Sequence, residues 1–200
     1  KEINIPVYIN KDVNFLILND IEKNKIEKDK VTLGFYIGTG FGNAVYINGK
    51  TLEGKNGVAG ELGHIPVLGS QDMCSCGNIG CIEIYASGKN LQKILKEKFV
   101  NENIEEIFTK YNDNEIIKQY IETLALPIAT EINIFDPDYI IIGGVVPMMK
   151  DFPIEYLNKS IYKYTRKPYP AESLNIIYSK HDQKSGVLGA AYYIRKEAKK

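Results

Sequence analysis

Apolar positions along this chain come in two rhythms. Val31-Thr-Leu-Gly-Phe-Tyr-Ile37 and Asn43-Ala-Val-Tyr-Ile47 are short β-branched and aromatic runs of the kind that form strands, joined by Gly38-Thr39-Gly40-Phe41-Gly42. Asn48-Gly49 follows at once, a two-residue hairpin signal that leads into a third short strand and completes an antiparallel meander. Ile5-Pro-Val-Tyr-Ile9 also reads as a strand, and the spacing of Phe15, Leu16, Leu18 and Ile21 predicts a helix with Asp12 near its start. The charged run from Glu22 to Lys30 reads as a solvated turn.

The second half is dominated by the helical rhythm. Leu91, Ile94, Leu95 and Phe99 mark one helix, and Ile117, Ile121, Leu124, Ile128 and Ile132 a longer one that Asp136-Pro137 ends. Pro127 inside it removes a backbone donor and predicts a kink. Tyr139-Ile-Ile-Ile142 is a wholly apolar strand stopped by Gly143-Gly144. A helix near Pro153 to Tyr164, a strand at Leu174 to Tyr178 and a closing helix at Val187 to Ile194 follow. Strands alternating with helices predict an α/β domain with ligand sites at strand ends.

Composition narrows the partners. Lys plus Arg number 25 against 25 Asp plus Glu, and no basic block marks a track for nucleic acid. No apolar run approaches membrane-spanning length, and Lys1-Glu2-Ile3-Asn4 lacks the pattern of a secretion signal, so the expectation is a cytoplasmic protein with no membrane partner.

The densest chemistry lies between residues 64 and 81, where His64, Cys74, Cys76 and Cys81 gather all 3 cysteines of the chain. Four such donors close a tetrahedron around zinc, and glycines at 69, 77 and 80 let a short loop fold back on an ion. The same residues could instead be three small buried hydrophobes and an unrelated histidine. Glu61 and Glu83 flank the stretch, so a metal that pins it also places two carboxylates. The loop Gly38-Thr39-Gly40-Phe41-Gly42 offers unhindered N–H groups for an oxyanion, or is a hairpin that needs positive φ. Gly143-Gly144 either admits a planar ligand or ends a strand. Asp12 alone reads as a helix N-cap.

Asp12-Val-Asn14, Gly38-Thr-Gly-Phe-Gly42, Gly60-Glu61-Leu-Gly-His64, Cys74-Ser-Cys76-Gly-Asn-Ile-Gly-Cys81-Ile-Glu83 and Ile134-Phe-Asp-Pro-Asp-Tyr-Ile-Ile-Ile-Gly143-Gly144 occur in this order. Together they resemble the ROK family of sugar kinases and sugar-responsive repressors. Lys11-Asp12-Val13-Asn14, Asp151-Phe-Pro153 and Tyr164-Thr-Arg166-Lys-Pro168-Tyr-Pro170 carry a narrower similarity to kinases of D-allose. The resemblance implies an actin-like ATPase (ribonuclease H-like) α/β fold, mainly its C-terminal lobe, with a structural zinc loop at 64–81. Residues 1–29 are then a remnant of the N-terminal lobe, against which a closing helix at 186–200 packs, and 30–185 form the C-terminal lobe.

The implied activity is transfer of the ATP γ-phosphate, with Mg²⁺, to a hexose hydroxyl, D-allose or a related hexose at the 6-position. Asp12 matches the family's catalytic base, and Asp12, Glu61, His64 and Glu83 match residues that bind sugar hydroxyls. Gly38, Thr39, Gly40 and Gly42 match a phosphate loop, Gly143 and Gly144 the adenosine region, and His64, Cys74, Cys76 and Cys81 the zinc ligands. His64 would then present one ring nitrogen to metal and the other to sugar. Family kinases are often homodimers or homotetramers.

Two departures stand out. Lys11 replaces a sugar-binding asparagine, which fits either a different hexose geometry or a lysine turned to solvent. The family's Asp-x-Gly-x-Thr phosphate loop is not found in the 200 residues, so the chain is expected to be the C-terminal portion of a kinase with little activity alone. A ROK-type repressor and a non-catalytic sugar-binding module are the alternatives.

Overall fold

A computed structural model describes residues 5–182 and 184–197, side chains 196 and 197 excepted. Helix α1 (Asp12–Lys23) precedes β1 (Thr32–Ile37), β2 (Phe41–Ile47) and β3 (Lys50–Thr51). Irregular chain with two 3-10 turns, Leu62–His64 and Ile82–Ile84, leads to α2 (Gly88–Lys98), α3 (Ile107–Tyr111) and α4 (Glu115–Phe135). Strand β4 (Tyr139–Gly143), α5 (Ile154–Tyr164), β5 (Ile176–Tyr178) and α6 (Ser185–Glu197) complete the order.

The strands form one five-stranded sheet in the order β3-β2-β1-β4-β5. The meander β1-β2-β3 is antiparallel, whereas β4 and β5 join as parallel strands, each reached through a helix. β1 is buried along its whole length because both faces are covered, and its side chains divide by parity. Leu33, Phe35 and Ile37, with Ile140 and Ile142 of β4, meet Leu124, Ile128 and Ile132 of α4 and Leu157 and Ile161 of α5. Tyr36, with Ile141 and Ala44, turns the other way, onto Val13, Ile17, Leu18 and Ile21 of α1. Gly34 makes that second contact close, since a Cβ there would lie 3.2 Å from the Ile17 Cδ1 atom.

Helix α6 covers the outer side of α1. The Phe15 and Tyr193 rings meet edge to face with centroids 5.7 Å apart, and Gly189 leaves no room for a side chain against the Phe15 backbone. A buried polar knot ties α1 to the sheet. The Asp20 carboxylate, fully buried, accepts from the Tyr36 hydroxyl at 2.9 Å, from His181 Nε2 at 2.9 Å and from the Ser179 hydroxyl. Burial, reinforced by the Asp20 charge, drives the Tyr36 phenol pKa well up, so the hydroxyl stays a donor.

One expectation is corrected. Ile5–Ile9 is not a strand: no neighbouring strand pairs with it among the described residues, and Ile5, Val7 and Ile9 are 67, 66 and 89 % exposed. β-branched alternation favours a strand only where a ladder and a face to bury exist. Helix α4 continues through Pro127 from Glu115 to Phe135 and is closed by Asp136 in the left-handed region at φ 44°. Of the expected closing helix, residues 198–200 lie outside the described residues. No helix among those described is long and apolar enough to cross a membrane.

Candidate active-site cleft and metal cluster

The start of α1, the β1–β2 loop and the carboxylates around the cysteine stretch open on one cleft of about 560 Å³. Asp12, Glu61 and Glu83 line it together with Gly38, Thr39, Gly40, Gly42 and Gly144. His64 and Gly143 are not among the lining residues.

Asp12 sits exposed at the first position of α1, with its Oδ1 accepting from the Val13 N–H at 2.8 Å. The start of the helix is braced by Asn10, whose Oδ1 accepts from the Lys11 N–H at 2.8 Å and from Asn14 Nδ2 at 2.6 Å. Glu83 points from its 3-10 turn back at the glycine loop, and its Oε2 accepts from the Phe41 N–H at 2.8 Å.

The glycines serve close approach rather than unusual φ. Gly38, Gly40 and Gly42 are not in the positive-φ region. A Cβ on Gly40 would collide with the Glu83 carboxylate and one on Gly42 would lie 2.6 Å from Val13 Cγ1, whereas one on Gly38 would stand in open space. The glycines thus let the loop pack tightly on Glu83 and Val13 while its backbone lines the cleft, with the Gly38 N–H taken by Gly40 O at 3.1 Å. The first amides of α2 lean on its back: Gly88 N–H donates to Gly38 O at 2.8 Å and Lys89 N–H to Thr39 O at 3.2 Å. Gly144 adopts φ 97°, and a Cβ there would lie 2.5 to 2.7 Å from Ile37 backbone atoms. Gly143 packs against the His181 ring, so the pair ends β4 tightly and only Gly144 faces the cleft. Across Gly38 and Thr39 lies a second cavity of about 260 Å³ with an apolar lining that includes Leu91, Ile104, Val145, Val146 and Met149.

The cysteine stretch is folded by its own backbone. Val67 N–H donates to Gly80 O at 2.7 Å, Cys74 N–H to Asn78 O at 2.8 Å, Gly77 N–H to Cys74 O at 3.0 Å and Ile82 N–H to Ile65 O at 2.9 Å. Tyr85 secures the outside of the loop by donating to Asp72 at 2.6 Å. One ligand atom from each of His64, Cys74, Cys76 and Cys81 lies within 4.8 Å of all the others. His64 Nδ1 is 3.7 Å from Cys74 Sγ, and Cys76 Sγ is 3.6 Å from Cys81 Sγ. Tetrahedral zinc with sulfur bonds of about 2.3 Å has sulfur–sulfur edges of about 3.8 Å, so the donor set fits that ion. The Cys74 thiol is drawn down to about 6, chiefly by the Cys76 backbone N–H, while burial pushes the Cys81 thiol up. The other ring nitrogen, Nε2 of His64, lies 3.7 Å from Glu61 Oε2.

Three residues of this site were not anticipated in the roles the structure gives them. Lys11 is not turned to solvent: its side chain is 16 % exposed, and its Nζ lies 2.6 Å from Ala59 O and 3.1 Å from Glu61 Oε1. Asn43, buried in β2 yet lining the cleft, donates from Nδ2 to Glu131 Oε2 at 2.6 Å. Glu131 is buried on α4, and burial holds its carboxyl up at about 7. One signal for it exists in the sequence. Glu131 follows Leu124 and Ile128 at helical spacing, so a charge falls on the apolar stripe.

A family model for the ROK family matches residues 1–197. The chain belongs to the ROK family. The N-acetyl-D-glucosamine kinase of Vibrio atlanticus is 31 % identical over 208 residues, covering 93 % of this chain and 66 % of that protein. The xylose repressor of Caldicellulosiruptor bescii is 29 % identical, covering 94 % of the chain and 52 % of the repressor. A ROK family glucokinase from Streptomyces griseus, solved in complex with glucose and AMPPNP, superimposes with a TM-score of 0.77 at 22 % identity, over 97 % of this chain and 70 % of that one. The fold is therefore of the actin-like ATPase type, built here on a mixed sheet. The chain spans somewhat less than two thirds of the kinase relative and about half of the repressor. Sugar kinases and repressors both stand among its relatives.

Proposed function

We propose that the protein, in its complete natural form, transfers the γ-phosphate of ATP to a hydroxyl of a hexose, D-allose or a related sugar at the 6-position. The observation that carries this reading is the sharing of one cleft by Asp12, Glu61, Glu83 and the bare Gly38–Gly42 backbone, with an apolar slot beyond Gly38 and Thr39. Phosphoryl transfer needs alignment of the two substrates, neutralisation of charge and a carboxylate to take the hydroxyl proton. Asp12 is the base. Glu61 and Glu83 accept from sugar hydroxyls by charge-assisted hydrogen bonds. Thr39 and Gly40 donate to phosphate oxygens, the Gly38 N–H being taken by Gly40 O at 3.1 Å and Gly42 serving the close approach to Val13, and Gly144 with the apolar slot receives the nucleoside. The apolar slot suits a base and the more polar cleft a sugar, so the loop between them would meet the phosphates.

Zinc would be held by His64 Nδ1, Cys74, Cys76 and Cys81. It supplies no redox or acid chemistry there. Bound there, it would fix the imidazole with Nε2 beside Glu61 and would hold the chain between the two glutamates. Mg²⁺ would neutralise phosphate charge, and no residue of this chain is assigned to it.

The kinship to the xylose repressor favours a second reading, sugar sensing without chemistry. Asp12 and the intact glycine loop argue for the kinase, since a sensor has no use for a base beside a phosphate cradle. A coupled assay for ADP, run on the protein expressed from its complete gene against allose, glucose, mannose and N-acetylmannosamine, tests the choice. Hexose-dependent ADP release supports the kinase. Hexose binding without ADP release supports the sensor.

A further inference from the structure

Lys11 is the one cation among the described residues that line the cleft, which is otherwise rimmed by Asp12, Glu61 and Glu83. An ammonium has three protons to give. Lys11 Nζ lies 2.6 Å from Ala59 O, 3.1 Å from Glu61 Oε1 and 3.5 Å from both Asn43 O and Gly60 O, so every proton is directed at the protein and none is left for a ligand. Behind this cage Asn43 is itself fixed, through its amide, to the buried Glu131. Glu61 is grasped from two sides, by Lys11 on Oε1 and by His64 Nε2, 3.7 Å away, near Oε2. Its side chain nevertheless remains 47 % exposed toward the cleft.

We propose that Lys11 is a positioning residue that sets the specificity of the cleft by clamping one oxygen of Glu61, so that the carboxylate offers a sugar a single acceptor in one direction. The role rests on the reading of the cleft as a hexose site. It couples the start of α1, which carries Asp12, to the carboxylate that orients the sugar. A freely rotating Glu61 could accept from either of two neighbouring hydroxyls and would discriminate poorly between epimers. The clamped one accepts from the hydroxyl that lies along its free edge. A hydrogen bond between charged groups is worth a factor of about ten to a hundred in an equilibrium constant, which bounds what the clamp contributes.

The test is a double-mutant cycle on the protein expressed from its complete gene, with Lys11→Met, Glu61→Ala and both together. Dissociation constants for allose, glucose, mannose and N-acetylmannosamine are read by calorimetry, with zinc content and melting temperature as controls. The expected result is a rise of about ten- to a hundredfold in the dissociation constant of the best hexose with Lys11→Met, a narrowing of its preference over the other three, and no further rise from Lys11→Met in the Glu61→Ala background. Equal effects of Lys11→Met in both backgrounds would overturn the clamp while leaving the hexose site intact. Failure of the wild-type protein to bind any of the four sugars would sink the reading of the cleft, and the proposal with it. Should Lys11→Met not fold, acetylation with N-hydroxysuccinimidyl acetate, followed by peptide mass spectrometry, decides. Lys11 should be protected in the wild type and become more reactive in Glu61→Ala, which removes the acceptor and opens its side of the cage, and equal reactivity would refute the clamp.

Discussion

Replacing Glu131 by Gln removes a charge that the fold resists. Glu131 is 4 % exposed, and burial raises its carboxyl from the usual 4.5 to about 7, with the Asn43 hydrogen bond and the Lys11 charge opposing the rise. The folded state therefore keeps a proton that the unfolded chain releases. Between about pH 4.5 and 7 the native protein binds more protons than the unfolded one, so stability falls as pH rises through that window. With each tenfold step worth about 1.4 kcal/mol, the loss reaches about 3 kcal/mol above pH 7. Glutamine keeps the shape of the neutral acid and its oxygen still accepts from Asn43 Nδ2. Urea unfolding of both proteins at pH 5, 6, 7 and 8 should show the variant gaining on the wild type by up to about 3 kcal/mol across the series. The offset between the two at pH 5 does not matter, because only its change with pH reports the proton. Parallel curves would refute the argument and mean that the Glu131 carboxylate is already charged in the fold.

The remaining predictions test other parts of the account. Asp12→Asn, at an exposed position whose one side-chain hydrogen bond among the described residues is to the Val13 amide, should lower the rate of hexose-dependent ADP release by at least about a hundredfold with little change in melting temperature. A variant that retains full rate would remove Asp12 as the base. Gly144→Ala should destabilise by at least about 3 kcal/mol, because φ 97° excludes a side chain and the new Cβ would meet Ile37 backbone at 2.5 to 2.7 Å. An unchanged urea midpoint would mean that β1 and β4 do not approach as described.

Much of the fold was legible because its main elements carry unambiguous rhythms. α4 repeats its apolar residues on one face over 21 residues, and β4 is apolar throughout because the sheet is covered on both sides. The failure at Ile5–Ile9 has the same origin as the successes: alternation records a preference for a paired, half-buried surface without saying whether one is available. The five-residue helix α3 is too short to show a period. The gathering of His64, Cys74, Cys76 and Cys81 was legible because these are rare residue types packed into 18 positions. The clamp was not. Lys11 meets Glu61 across 50 residues, and Asn43 meets Glu131 across 88, and single-sequence patterns carry no record of such pairings. Even so, the charge of Glu131 on an apolar stripe signalled a buried polar partner, and the oddity of Lys11 was visible against the family resemblance.

The central claim is that a metal held by His64, Cys74, Cys76 and Cys81 keeps the sugar-binding carboxylates in place. Calorimetric titration of a hexose into the protein from its complete gene, before and after removal of zinc by a chelator and again after zinc is restored, tests it most directly. The account predicts about one zinc per chain by elemental analysis, a fall of at least about tenfold in hexose affinity on stripping, and recovery on restoration. Unchanged affinity in the stripped protein, still folded by circular dichroism, would contradict it.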